Sequence, residues 1–150
     1  MRIIIICFIL ILSFPSNAKQ KNNYAPSLHF AALGGNLLEI IRLIKKGDDI
    51  NAKDDHGKTP LHIASAKGHV DAIEVLMQLG ADINAMDEDG ITPLMSAAMF
   101  GKIKSIEALV KADADPNLEN SVGTTPLITA VFSEEVRSIE ALAKAGADPN

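Results

Sequence analysis

Two short stretches of this chain look equipped for chemistry. Gly57-Lys58-Thr59 ends like a phosphate-binding loop, where glycine lets backbone amides cradle a phosphate and lysine neutralises it. The upstream glycine that such a cradle needs is Ala52 here, and Pro60, which has no amide hydrogen, follows the threonine. The match fails. Asp87-Glu88-Asp89-Gly90 resembles part of a calcium loop, but the first ligand position would be Ala85 and the closing glutamate would be Ser96. These acids read better as a solvated turn tip. No Gly-x-Ser-x-Gly elbow is present, and no histidine pair stands at zinc-ligand spacing with a third ligand. Catalysis, a cofactor, a metal ion and a small-molecule substrate are therefore not expected.

Composition narrows the class further. A chain of 150 residues with 47% hydrophobic content makes one domain with a real core. Aromatic residues are only 4% and Trp is absent, so that core must be Leu, Ile, Val, Ala and Met, which suits closely packed helices. The net charge is -5, with 14 basic residues scattered among 19 acidic ones, so no Lys/Arg face exists to neutralise nucleic-acid phosphates. Residues 1–18 differ from the rest: Arg2, an apolar run from Ile3 to Leu12, then Pro15 and small residues to Ala18. This reads as a secretory signal peptide, since the run is about half the roughly 20 residues of a spanning helix. The alternative is an uncleaved anchor. Export to the periplasm or outside the cell is the expectation, with membrane contact only in transit. Cys7 is the only cysteine and lies inside the run, so a mature chain from Lys19 has neither disulfide nor thiolate site. Residues 19–26 form a short linker.

Beyond it the chain repeats itself. Thr59-Pro60-Leu61 returns as Thr92-Pro93-Leu94 and as Thr125-Pro126-Leu127, and dividing the chain at that period gives 27–57, 58–90, 91–123 and 124–150. Aligned columns include Ala31, Ala64, Ala97 and Ala130; Ile40, Ile73, Ile106 and Ile139; Leu43, Leu76, Leu109 and Leu142; and Asn51, Asn84, Asn117 and Asn150. A period of this length signals stacked units that bury their apolar faces on one another.

Thr59-Pro60-Leu61-His62-Ile63-Ala64, with Gly68-His69 and Gly80-Ala81-Asp82 behind it and Asp54-x-x-Gly57 ahead, resembles the ankyrin repeat, and the resemblance spans about residues 25–150. It implies an all-α solenoid of helix-turn-helix pairs with projecting turns. It also implies that His29 and His62 bond near the Thr-Pro turn and that His69 belongs to the connecting turn. The local physics agrees. Thr can cap a helix whose first residue is Pro, and Gly68 permits the left-handed reversal after about eight residues. A second helix, Val70 to Leu79, would bury Ile73, Leu76 and Met77 and expose Asp71, Glu74 and Gln78. Asp113 stands where glycine should end a helix, and Asp tolerates that conformation better than most residues. Glu134-Glu135 replaces the Gly-His turn of the last copy, whose end is either its own cap or covered by a partner.

The resemblance implies recognition through the turn tips and the inner face of the first helices. Those positions hold Asp55, His56 and Lys58 in one turn, Glu88, Asp89 and Ile91 in the next, Val122 in the third, and Lys67, Met99, Phe100 and Phe132 on the helices. Ile91, Met99, Phe100, Val122 and Phe132 are expected to cluster on the last two repeats as an exposed apolar patch rimmed by acids, unless Phe100 or Phe132 turns into the core. The function expected is that of a monomeric, non-catalytic module binding another protein. It would act as a periplasmic helper or as a secreted effector on host proteins; a fragment of a longer array is the remaining alternative.

Overall fold

The computed structural model describes residues 27–149. The expected signal segment, the linker and the last residue lie outside that range. Among the described residues there are eight helices and no strand: α1 (Leu28–Leu33), α2 (Leu37–Lys45), α3 (Pro60–Lys67), α4 (Val70–Gln78), α5 (Pro93–Met99), α6 (Ile103–Lys111), α7 (Pro126–Phe132) and α8 (Val136–Lys144). Each odd-numbered helix packs on the even one that follows it. The odd helices also pack in sequence on one another, as do the even ones, which makes a two-layered all-α solenoid.

The core runs along the seam between the layers. Leu28, Leu61, Leu94 and Leu127 enter it from the first layer, and Ile40, Ile73, Ile106, Leu43, Leu76, Leu109 and Leu142 from the second. Each such side chain contributes about 1.5–3 kcal/mol when fully removed from water. The alanine column is buried throughout, from Ala31 to Ala130, because a larger side chain there would hold the odd helices apart. In α4 the apolar stripe falls as its spacing predicts, except that Met77 is half-buried and the helix stops at Gln78 with Leu79 as its cap.

Helix starts follow the capping logic. The hydroxyl of Ser27 accepts from the Phe30 N–H at 3.2 Å, that of Thr92 from Met95 at 3.2 Å, and that of Thr125 from Ile128 at 3.3 Å. Reversals after the odd helices need positive φ, which Gly68 adopts at 83° without cost while Glu134 is held at 57°. Asp113 takes the left-handed conformation expected of it, at φ 65°. None of the described helices is long and apolar enough to cross a membrane.

Candidate functional site

The turns between pairs are built before anything can bind to them. In the first, the Asp54 carboxylate accepts from the N–H groups of His56 and Lys58, both at 2.9 Å. In the second, Asp87 accepts from Asp89 at 3.0 Å and Ile91 at 2.9 Å, and in the third Asn120 does the same for Val122 at 3.1 Å and Thr124 at 2.8 Å. Burial alone would raise the Asp54 carboxyl, but these two N–H donors outweigh it and hold the group below its ordinary value.

Neighbouring tips are stitched together. The Glu88 N–H donates to the His56 carbonyl at 3.2 Å, and the Ser121 N–H to the Asp89 carbonyl at 2.9 Å. A Cβ on Gly57 would stand 2.8 Å from the Glu88 nitrogen, and one on Gly90 the same distance from that of Ser121, so only glycine allows this approach. Histidines clasp the first two tips from the previous pair. His29 bonds through Nε2 to the Lys58 carbonyl at 2.9 Å, and His62 through Nε2 to the Ile91 carbonyl at 2.8 Å. His62 Nδ1 accepts from the Thr59 N–H at 3.1 Å, which leaves the proton on Nε2 to donate. Burial pushes the His62 pKa below its ordinary value, because the imidazolium would lose solvation and the Nδ1 acceptor.

On the inner face of this ridge lies a groove of about 460 Å³. Its apolar wall is Leu33, Ile63, Ala66, Ile91, Met99 and Phe100, and its polar lining includes Lys58, Lys67, His62, Asp87, Asp89 and Ser96. The groove therefore runs across the ends of α1, α3 and α5. A stack of two-helix units with clasped, projecting turns is what the family comparison also returns: the model described as "Ankyrin repeats (3 copies)" matches residues 5–87 and 79–150.

The chain belongs to the ankyrin-repeat family. Ankyrin repeats are in general protein-interaction modules and typically non-catalytic. No curated protein matches the chain in sequence.

Within this ankyrin array, the residues singled out from sequence separate into two groups. Lys58, Lys67, Asp89, Ile91, Met99 and Phe100 line the groove together. Asp55, His56 and Glu88 stand exposed on the tips above it. Val122 and Phe132 do not join them. Val122 is 82% exposed on the third tip, and Phe132 is 77% exposed at the end of α7, which packs on α5 from one side alone. The groove instead takes Leu33, Ile63 and Ala66 from the first two pairs. Phe100, at 55% exposure, does not turn into the core, and neither does Phe132.

Leu33 and Ala66 share the inner-face helix column that holds Met99 and Phe132 and so were readable as binding positions, whereas sequence reasoning missed Ile63 as a groove residue. It also missed exposed Phe30, at 69%. The asparagine column was visible without a role. Asn51, Asn84 and Asn117 each accept through Oδ1 from the N–H of an aspartate in the next pair, Asp82 at 2.8 Å, Asp115 at 3.0 Å and Asp148 at 2.8 Å. These bonds hold the edge of the ankyrin stack away from the tips.

Proposed function

We propose that this ankyrin chain is an exported, non-catalytic binding protein that holds a partner protein against the α1–α3–α5 groove and the turn tips. One observation carries the reading. Leu33, Met99 and Phe100 remain 42%, 37% and 55% exposed beside each other in a concave wall, although apolar side chains gain by leaving water. The wall is rigid, because its helices are capped and its tips cross-bonded, so little entropy is lost when a partner settles on it. An interface covering about 800 Å² on this side is enough for specific association when a few anchors are well buried.

Immobilised wild-type protein and the Met99→Ser/Phe100→Ser double variant, each exposed to extract of the native organism, test the groove. Proteins retained by the wild type should be absent from the variant. Its stability should move by less than about 1 kcal/mol, since both side chains are at the surface. Equal retention by the two, or a variant that no longer folds, defeats the assignment. Export rests on the residues before Lys19, and its check is mass spectrometry of the native protein after fractionation: a mature N-terminus at Lys19 in the exported fraction is expected, and intact chain retained in the cytosol refutes it.

A further inference from the structure

The groove's surroundings indicate the chemistry of the partner, an inference that rests on the binding site proposed above. Three carboxylates crown its tip edge, those of Asp55, Glu88 and Asp89, and all three residues are exposed. None is in an ion pair; among the described residues the salt bridge is between Glu39 and Arg42, on α2. Nor is any of the three side chains used to build a turn, for that work falls to Asp54, Asp87 and Asn120. The backbone bonds between tips fix Glu88 beside His56 and Asp89 beside Ser121, so these exposed carboxylates stand along one edge where a cation of a partner can meet them. Lys58 is half-buried, and Lys67 lies at the last turn of α3, at the helix end away from the tips.

We infer that the partner presents a segment joining apolar anchor side chains to lysine or arginine: the anchors seat on Leu33, Ile63, Met99 and Phe100 while the cations face Asp55, Glu88 and Asp89. The apolar wall provides the affinity and the charged ridge sets orientation and rejects acidic segments. Methionine at position 99 suits such a role, because its flexible thioether repacks around anchors of different shape.

Fluorescence anisotropy on the full chain tests this with three short labelled probes: a peptide of leucines and lysines, the same peptide with glutamates for lysines, and one that keeps the lysines but has glycine for leucine. The leucine–lysine probe should bind roughly tenfold or more tightly than either other, and its advantage over the glutamate probe should shrink as salt is raised. Asp55→Lys/Glu88→Lys/Asp89→Lys should reverse the preference between lysine and glutamate probes, with thermal stability retained because none of these side chains holds a turn. Met99→Ser/Phe100→Ser should lose both leucine probes. If that double variant loses binding while the charge-reversed variant keeps the original order, the groove stands and the basic partner is overturned. If neither variant alters binding, groove and partner chemistry fall together. A glycine–lysine probe that binds as well as the leucine–lysine one overturns the inference too, since the apolar wall then contributes nothing.

Discussion

Ser65, Ser105 and Ser138 bury their hydroxyl groups completely with no hydrogen-bond partner. A sealed, unbonded hydroxyl costs about 1–3 kcal/mol of desolvation that folding does not recover. The column of Ser105 and Ser138 holds Ala72 in the second pair, equally buried, so alanine already fits that environment. Ser105→Ala and Ser138→Ala are each expected to raise stability by about 0.5–1.5 kcal/mol, read as a higher urea midpoint with an unchanged slope. A lower midpoint would mean the hydroxyls are bonded after all. None of this was readable from sequence, because a serine at the third position of a helix is as often solvated as buried; only the packing of α4, α6 and α8 closes the site.

At the scale of the element, the unit that matters is a turn plus the histidine that reaches it from the pair before. His62 joins the start of α3 to the second tip by bonds at both ring nitrogens, and the one at Nδ1, which accepts from the Thr59 N–H, requires the neutral imidazole. Its folded pKa is depressed by burial, so the unfolded chain takes up the proton first on acidification. Stability from this group is complete above the ordinary histidine pKa of about 6.5 and is lost as pH falls below it. The Asp54 carboxyl, also depressed, adds a further loss at lower pH, below the ordinary carboxylate range. Wild-type protein should therefore lose stability between neutral and mildly acidic pH. His62→Gln should be less stable by about 1–2 kcal/mol at neutral pH yet show a flatter decline, which denaturation curves at a series of pH values would measure. An identical pH slope in the two proteins would remove His62 from the account. The third tip has no such clasp, since Met95 and Ile128 occupy the histidine column and cannot donate.

Across the whole molecule, stability and binding surface come from the same arrangement. Stacking buries one stripe of each pair and leaves the inner ends of α1, α3 and α5 side by side, so the groove has no counterpart within any single unit. The ends differ from the middle for the same reason. Among the described residues no pair precedes Phe30, and Val131, at 53% exposure, lies in the column of Ala32, Ser65 and Ala98, each fully covered. The fold itself was legible: recurring Thr-Pro starts, left-handed glycines and three- and four-residue apolar spacing each dictate a local shape that needs no distant partner. Asp113 was legible in the same way. The candidate site was legible as a set of columns, since the residues that packing leaves undictated can be subtracted from the repeat. Which columns come together was not. Ile91, Met99 and Phe100 line one groove with Leu33, Ile63 and Ala66, and Val122 and Phe132 stand outside it, because the way one pair sets against the next decides which side chains share a concavity. The sequence alone determined the helices, their caps and their stacking order, because those depend on bonds and burial within a few residues. Only the tertiary structure decided which residues share the groove and which hydroxyls are buried, because these depend on where one unit's surface meets another's.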